Sequence, residues 1–267
     1  MSLRTLLRSA VGARSCGVKL ETTSSHPVPD FERLGLLSAR DIPQLGLNWA
    51  VPASGPLDQL SASSCLANAW CMGEVVNLKA RHGIDSPLPS RRAAYYWARQ
   101  VAGGPIIDDG SRPSDLLRAV SMHGLPPETS FPYSTWRINE RPPLSARWDA
   151  WDHAGQRRSY QVNYSAMEDR IAACRASLAS GRPLIVSVPV GPSFNNYAGS
   201  GAVQYPNRID VKGFHALLVL DCSTTGELFC LNSYGPEYGA NGRVLLDSTH
   251  LETTFSLICM DVQRPVT

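Results

Sequence analysis

The sequence predicts an α+β fold of two lobes, with helices in the first half of the chain and strands in the second. Segments with the apolar spacing of helices precede residue 183. From Pro183 onward the apolar runs are short or alternating, and Gly, Asn and Ser separate them, which is typical of strands. A run of helices followed by a run of strands indicates an α+β domain. We expect a functional cleft between a helical N-terminal lobe and a β-rich C-terminal lobe.

The individual helices are predicted from apolar periodicity and from their end signals. A first helix begins at Cys65 and ends near His82, where Gly83 can take the left-handed conformation of a C-terminal cap. Further helices are predicted in PSRRAAYYWARQVAG, SRPSDLLRAVSMHG and YSAMEDRIAACRASLASG, each closed by a glycine. The strands are predicted in LIVSVPV, HALLVLDC, ELFCLN and GRVLLD.

Composition limits the classes of function. The chain has 267 residues, 43% of them hydrophobic, and a formal net charge of +2. This near-neutral balance gives no support for nucleic acid as a partner, and no apolar run approaches the roughly 20 residues of a membrane span. The seven cysteines are odd in number and do not predict a disulfide framework. Because no pair of Cys-x-x-Cys motifs is present, we expect no metal site, and we expect no cofactor.

The segment DQLSASSCLANAW, residues 58–70, predicts a nucleophile. Cys65 begins a helix, for which Ser63 or Ser64 can be the N-cap, and the positive end of the helix dipole favours its thiolate. The backbone N–H of Cys65 is one of the unpaired donors of the first helical turn and can bind an oxyanion. Gln59, six residues upstream, can provide a side-chain amide as a second donor. This spacing suits a site for acyl transfer.

A base for this thiol is expected on a rigid element elsewhere in the sequence. His215 opens the apolar strand GFHALLVL, which would fix its ring, whereas the other histidines fall in loops, at helix ends or in a polar segment. Asn232 ends the next strand, 17 residues later, and its amide oxygen can accept a hydrogen bond from the imidazole and fix its tautomer. Each residue alone has an ordinary structural explanation, and only their combination with Cys65 favours catalysis.

In their order along the chain, these segments resemble papain-like (C1 family) cysteine peptidases. DQLSASSCLANA is similar to the nucleophile segment of the bacterial and viral branch, Asp-Gln-Gly-x-x-Gly-Ser-Cys-x-Ala-Asn-Ala. GFHALLVL resembles the histidine strand of the family, and LNSYGPEYGANGRVLL resembles its Asn-Ser-Trp-Gly-x-x-Trp-Gly-x-x-Gly segment. The histidine follows the cysteine by 150 residues, which agrees with the spacing in such enzymes.

The resemblance implies a papain-like two-lobed fold and roles for five residues. Cys65 would be the nucleophile, His215 the base and then the acid, and Asn232 the residue that orients the imidazole. Gln59 would complete the oxyanion hole, and Gly110 falls where the family has a glycine-bearing strand that pairs with the substrate backbone. The implied reaction is hydrolysis of peptide or isopeptide amides through a thioester, so the expected partner is a polypeptide. The family also implies a lowered pKa for the Cys65 thiol.

The sequence departs from the family at four positions near this site. Leu60 and Ser63 replace two glycines of the loop that shapes the oxyanion hole, and Tyr234 and Tyr238 replace two tryptophans that shield the Asn–His hydrogen bond. These departures keep a second hypothesis open, namely a papain-fold structural or interaction protein with weak or no catalysis. Such a protein could belong to a virus particle or to a delivered complex.

The N-terminal arm differs in charge from the rest of the chain. Residues 1–20 carry four basic side chains and no acidic one, and TTSSHPVPD then has the composition of a linker. Two arginines interrupt the apolar stretch of the arm, so a secretory signal peptide is not predicted, and the compartment stays open. We divide the chain into an arm with its linker, 1–40, and a peptidase-like domain, 41–267. The arm stands where the family has a longer pro-segment. We expect it to lie in its own cleft or to anchor the domain to a partner protein, without forming part of the core.

Overall fold

The computed structural model describes residues 16–20, 55–151, 154–164 and 166–263. These residues form a helical half followed by a sheet, as the sequence predicts. No helix within these ranges is long and apolar enough to cross a membrane. The predicted boundary between arm and domain at residue 40 lies outside the described residues.

The helical half contains the three helices predicted there and one that was not predicted. The helices are α1, Cys65–His82; α2, Arg91–Ala102; α3, Pro113–His123; and α4, Leu144–Trp151. Gly83 ends α1 in the left-handed conformation, with φ 66°, and its N–H donates hydrogen bonds to the carbonyls of Leu78 and Lys79 in the last turn. Only Ala146 and Ala150 of α4 are buried, whereas Trp148 and Trp151 are exposed. Because the large apolar side chains of α4 do not face the core, its sequence lacks the apolar stripe that identified the other helices.

The second half forms a six-stranded antiparallel sheet in the order β1-β6-β2-β3-β4-β5. Its strands are β1, Arg157–Gln161; β2, Leu184–Val190; β3, Gly213–Cys222; β4, Leu228–Leu231; β5, Arg243–Leu246; and β6, Ser256–Val262. Strands β2 to β5 are the predicted ones. β1 and β6 were missed: RRSYQ in β1 lacks alternating apolar residues, whereas β6 is buried along its whole length, as the predicted strand β2 is. These two strands pair with each other at the edge of the sheet.

Helices cover both faces of the sheet, which explains the continuous apolar runs in its central strands. Helix α5, Met167–Ala179, confirms the last predicted helix, and the short helices α6, Pro192–Asn195, and α7, Ser248–Thr253, complete this half. Along β2, Ile185 packs into the cluster that contains α1, whereas Leu184 and Val186 pack into the cluster that contains α5. Alternate residues therefore face opposite helices, as the twofold period of a strand requires.

Helix α1 is fixed to the sheet by polar contacts as well as by apolar packing. Glu74 and Arg157 of β1 form a buried ion pair, with 2.7 Å between Oε2 and Nε. The Asn77 side chain donates to the Gly181 carbonyl at 2.7 Å and accepts from the Val262 N–H at 2.8 Å. These contacts set the position of the helix, and the start of α1 therefore lies at a defined place beside β3.

Candidate active site

Cys65 is the first residue of α1 and is fully buried. Ser64 occupies the N-cap position with φ −107° and ψ 21°, but its side chain does not cap the helix. Its hydroxyl instead lies 2.7 Å from the Tyr133 hydroxyl, and Asn68 donates to the Ser64 carbonyl at 2.9 Å and to the Ser64 Oγ at 3.0 Å. Ser64 therefore occupies the predicted N-cap position, but its hydroxyl bonds to Tyr133 and not to the backbone of the first helical turn. The loop before Cys65 is held by side chains from elsewhere in the lobe.

A set of buried and half-buried polar side chains supports this loop, and we call it the polar support. Its members are Asn68, Arg91, Glu128 and Tyr133. Arg91 donates twice to the Glu128 carboxylate, at 2.9 and 2.6 Å, and once to Asn68 Oδ1 at 2.9 Å. Its guanidinium lies 4.1 Å from the centroid of the Tyr133 ring, and the Tyr133 hydroxyl donates to the Gln59 carbonyl at 2.8 Å. Sequence reasoning missed these residues, although Asn68 stands in the Cys-x-Ala-Asn-Ala segment that carried the resemblance.

Gln59 lies fully buried beside this loop, and its amide has a fixed orientation. Its Nε2 donates to the Ala62 carbonyl at 2.8 Å, and its Oε1 accepts from the Ser233 hydroxyl at 2.7 Å. The Gln59 backbone N–H also donates to the Ser233 carbonyl at 2.9 Å. Because Ser233 follows Asn232 directly, the predicted oxyanion donor is tied to the segment that carries the predicted orienting residue.

His215 on β3 and Asn232, which directly follows β4, form a buried pair. The His215 Nε2 lies 2.7 Å from Asn232 Oδ1, which also accepts from the Ser233 N–H at 2.7 Å. An amide oxygen only accepts, so Nε2 carries the hydrogen and Nδ1 is the basic nitrogen of the neutral ring. His215 is 0% exposed and Asn232 is 2% exposed, so bulk water does not compete for this hydrogen bond.

Two aromatic rings pack on the imidazole and a third packs on both of them, and we call the three the aromatic enclosure: Phe194, Tyr234 and Tyr238. The Tyr234 ring lies 4.7 Å from the His215 ring and the Phe194 ring lies 5.5 Å from it, centroid to centroid. Tyr238 packs on both other members of the enclosure and donates from its hydroxyl to the Phe194 carbonyl at 2.8 Å. The two tyrosines thus pack where the resemblance implies shielding tryptophans. Phe194 lies on the short helix α6, and no sequence signal pointed to it.

The surroundings of the Cys65 sulfur connect the two lobes. Backbone N–H groups of Ala216, Gly17 and Leu66 form hydrogen bonds to it, and Ala216 follows His215 on β3. Burial nevertheless raises the pKa of the Cys65 thiol to about 11, because desolvation outweighs these donors. The expected lowering of this pKa is therefore wrong for the thiol as it stands in the structure, with the arm residue Gly17 in contact with it.

Residues 16–20 run between the predicted substrate-binding strand and β3. The Ser111 N–H donates to the Gly17 carbonyl at 2.8 Å, and the Lys19 N–H donates to the Ser111 carbonyl at 3.0 Å. On the other side, the Val18 N–H donates to the Phe214 carbonyl at 3.2 Å. Val18 is 6% exposed and packs in the main apolar cluster, so the expectation that the arm takes no part in the core is wrong for this residue.

Gly110 permits the close approach of this segment, whereas its neighbour Ser111 makes the backbone pairing. Gly110 has φ 96°, and a Cβ there would lie 2.3 Å from the Gly17 carbonyl oxygen. Its N–H donates to the Tyr95 hydroxyl at 2.9 Å. The glycine is the sequence signal that pointed to this loop, and its role in substrate binding stays a prediction. Sequence reasoning missed Ser111, because a serine carries no signal for backbone pairing.

Asp108 joins this loop to the loop before Cys65. Its Oδ1 accepts from the Ser63 N–H at 2.8 Å and from the Tyr95 hydroxyl at 2.8 Å. The Tyr95 hydroxyl also accepts a hydrogen bond from the Gly110 N–H. The Asp108 carboxylate and the Tyr95 phenol therefore set the spacing between the two loops. Ser63 thereby has a partner of its own at a position where the family has glycine.

The arrangement contains the groups that nucleophilic acyl transfer requires. A thiol lies at a helix start, a histidine with a basic Nδ1 lies on the adjacent strand, and an amide oxygen fixes the imidazole. Among the described residues, no group of three or more His, Cys, Asp or Glu side chains could hold a metal ion.

Comparison with known proteins agrees with the fold and with the sequence resemblance. No protein-family model matches the chain. An uncharacterized peptidase C1-like protein of Acanthamoeba polyphaga mimivirus is 24% identical over 197 residues, which are 71% of this chain. The match spans 63% of the length of that viral protein.

Solved structures show the same architecture. The crystal structure of xylellain, a cysteine protease from Xylella fastidiosa, superimposes with a TM-score of 0.69 at 21% identity and covers 94% of this chain and 98% of that one. A procathepsin B from Trypanosoma congolense gives a TM-score of 0.65 at 16% identity and covers 95% of this chain and 87% of that one. The predicted papain-like α+β fold is therefore confirmed, and so is the resemblance to C1-like peptidases, with a viral relative among them.

Proposed function

We propose that this papain-like protein is a cysteine peptidase that hydrolyses peptide or isopeptide amide bonds through a thioester on Cys65. The observation that carries the proposal is the 2.7 Å hydrogen bond between His215 Nε2 and Asn232 Oδ1. It leaves Nδ1 as the basic nitrogen of a histidine whose next residue, Ala216, contacts the Cys65 sulfur. This is the arrangement that a base for the thiol requires.

The reaction runs in two stages. His215 takes the proton from Cys65, the sulfur attacks the amide carbonyl carbon, and the imidazolium then protonates the leaving amine. The Cys65 N–H and the Gln59 side-chain amide stabilise the oxyanion that forms on the carbonyl oxygen. In the second stage His215 takes a proton from water, the hydroxide attacks the thioester, and the thiol is released with the carboxylic acid product.

The substrate is an extended polypeptide that takes the place of residues 16–20. The Ser111 backbone offers an N–H and a carbonyl, and β3 offers the Phe214 carbonyl, which are the groups that pair with this segment now. A peptide that adds a strand to such an edge gains main-chain hydrogen bonds whatever its sequence. The lack of a side chain at Gly110 leaves room for this peptide, because a Cβ there would lie 2.3 Å from the backbone oxygen of Gly17, whose place the peptide takes.

An epoxide probe for activated cysteines tests this function on the full chain, with mass spectrometry to identify the labelled residue. We expect labelling at Cys65, none at this position in Cys65→Ala, and a fall of about 10²–10⁴-fold in rate in His215→Ala. His123→Ala is the matched control, because His123 ends α3 and stacks on Trp97, and it should label normally.

The arm requires one further variant, because residues 16–20 contact Cys65. Val18→Asp places a charge in the apolar cluster and should release the segment. If Cys65 stays unlabelled in a folded Val18→Asp protein, the catalytic proposal fails. The alternative of a structural or interaction protein then stands.

A further inference from the structure

Cys16 is the cysteine that lies against the cleft together with Cys65. It belongs to the segment that runs between Ser111 and Phe214, and the next residue, Gly17, donates its N–H to the Cys65 sulfur. The other cysteines, at positions 71, 174, 222, 230 and 259, are buried, whereas Cys16 is partly exposed. Of the seven thiols, Cys16 is therefore the one that solvent can reach beside the proposed nucleophile.

The surroundings of Cys16 are built from residues of the site. A Cβ on Gly213 would lie 2.6 Å from the Cys16 Cβ and 3.2 Å from its sulfur, so the glycine at the start of β3 makes room for this side chain. The Tyr234 side chain lies beside the Cys16 side chain, and its ring packs on His215. Gly17 is equally constrained, because a Cβ there would lie 1.9 Å from the Ser63 carbonyl oxygen.

The two cysteines lie close together, because Gly17, the neighbour of Cys16, contacts the Cys65 sulfur and packs on the Ser63 carbonyl. The Gly17 nitrogen, which donates to the Cys65 sulfur, is two bonds from the Cys16 Cα. A disulfide joins residues whose Cα atoms are roughly 4.4–6.8 Å apart. The Cys16 sulfur now points to Tyr234, and rotation about its Cα–Cβ bond exchanges staggered positions at low cost.

We propose that Cys16 and Cys65 form a reversible disulfide that fastens residues 16–20 in the cleft. The oxidant is a small-molecule disulfide such as oxidised glutathione. When the segment opens, the Cys65 thiolate attacks this disulfide, forms a mixed disulfide and expels one thiolate. When the segment returns, the Cys16 thiolate attacks the Cys65 sulfur and expels the second thiolate. Overall, two protein thiols and one small disulfide give one protein disulfide and two small thiols.

The consequence of this bond rests on the proposed function. A disulfide at Cys65 removes the nucleophile and holds the segment over the substrate-binding backbone at the same time. A reducing thiol reverses both effects. The bond itself requires no catalysis, so its formation can be tested independently of peptidase activity.

The test uses the full chain, oxidised glutathione, alkylation of the remaining thiols and mass spectrometry of the tryptic peptides. Trypsin releases Cys16 in the peptide 15–19, and Cys65 lies in the peptide 41–79 together with Cys71. We expect these two peptides to be joined, with a loss of two hydrogen atoms. The cross-link should exceed the glutathione adduct of Cys65 by about tenfold or more, because the second thiol is held at high effective concentration.

Three variants make the result specific. Cys71→Ser should keep the cross-link, which assigns it to Cys65. Cys16→Ser should lose it and give the glutathione adduct of Cys65 instead, and Cys65→Ser should lose it as well. A wild-type chain that carries only glutathione adducts, or a cross-link that persists in Cys65→Ser, overturns the proposal. A cross-link in a chain that never labels with the epoxide probe leaves the disulfide standing and removes the proposed function.

Discussion

The two walls of the cleft hold their functional side chains by different physical means. On the helical side, the polar support fixes the loop before α1 with hydrogen bonds and an ion pair, and Arg91 takes part in most of these contacts. On the sheet side, the aromatic enclosure packs around the 2.7 Å hydrogen bond between His215 and Asn232.

This difference follows from what each wall has to do. The loop before Cys65 lacks regular structure, so its backbone groups need directional partners to keep one conformation. His215 already lies on a strand, and its hydrogen bond needs protection from water, because a low local dielectric strengthens it. Polar contacts therefore serve the loop, and apolar packing serves the strand.

Arg91→Ala should break the helical wall and give one of the two largest effects on stability. It leaves the largely buried Glu128 carboxylate without its cation, since the side chains of Arg91 and Glu128 are 9% and 19% exposed. Loss of one partner of a buried pair costs about 3–5 kcal/mol in the free energy of unfolding, which denaturant titration measures. Arg137→Ala is the control, because its ion pair with Glu140 is exposed and should contribute little. Equal losses in both variants would contradict the role of the polar support.

Phe194→Ala should weaken the sheet wall by about 3–5 kcal/mol, because it leaves a cavity beside His215. Phe229→Ala, at a position 37% exposed, is the matched control and should lose less stability.

Conservative substitutions at Phe194 and Arg91 further distinguish how the two walls are stabilised. Phe194→Leu should recover part of the loss, since volume is what matters there. Arg91→Lys should recover little, since a lysine cannot donate to both Glu128 oxygens and Asn68. Recovery by Arg91→Lys would show that charge alone supports the loop.

Gln59→Ala should slow amide hydrolysis with little change in KM, because it removes the proposed oxyanion donor, which would act in the transition state. One such donor contributes about 2.7–4 kcal/mol to the barrier, or roughly 10²–10³ in kcat. Ser233→Ala, which removes only the bond to Gln59 Oε1, should cost less, because the amide remains. A Gln59→Ala enzyme with wild-type kcat would exclude this residue from the oxyanion hole.

The comparison of the walls also explains what the sequence could predict. Cys65, His215 and Asn232 carry local signals, namely a helix start, an apolar strand and a strand end, and their spacing relates them. Apart from Asn68, the polar support carries none, because its contacts join distant and ordinary residues. Tyr133 reaches Gln59 across 74 positions. Serines, tyrosines and single acids of this kind occur in any soluble domain, so only the folded chain shows their partners.

The same argument separates predicted from missed elements of the fold. Helices α1, α2, α3 and α5 end at or near a glycine or have an apolar face, and both signals are local. α4 was missed because Trp148 and Trp151 face solvent, and β1 was missed because RRSYQ lacks alternating apolar residues. The raised pKa of Cys65 was unpredictable for another reason. It comes from burial of the thiol, and only the folded chain shows which groups surround the sulfur.

The pH dependence of Cys65 alkylation should report whether residues 16–20 cover the thiol. Burial raises its pKa to about 11, whereas a free cysteine titrates near roughly 8.5. The thiol covered by residues 16–20 holds its proton more tightly than a free thiol. The covered state is therefore favoured below the free pKa, and this preference is lost as the pH rises from the free pKa through the raised one. At neutral pH, Val18→Asp should therefore react about two orders of magnitude faster than the full wild-type chain. Identical pH midpoints in the two proteins would show that the segment does not control the thiol.

Leu60→Gly should give the smallest effect and test the loop that joins the walls. Leu60 has φ 54° and is 52% exposed, and its N–H donates to Asp58 Oδ1 at 2.8 Å. A residue with a Cβ loses about 1–2 kcal/mol in this left-handed region, and glycine gives back about 0.4–1 kcal/mol through the entropy of the unfolded chain. Leu60→Gly should therefore stabilise the protein by up to about 1 kcal/mol in denaturant titration.

Leu60→Ala is the matched control, because it keeps the Cβ and shortens the exposed side chain. It should show no stabilisation, and kcat in both variants should stay within about twofold of wild type, as for surface substitutions. These results would mean that the loop around Leu60 has the left-handed conformation that glycine allows, and that the leucine only lowers the free energy of unfolding. A Leu60→Gly protein no more stable than Leu60→Ala would mean that the left-handed turn carries no strain. The departure from glycine would then have no cost in stability at this position.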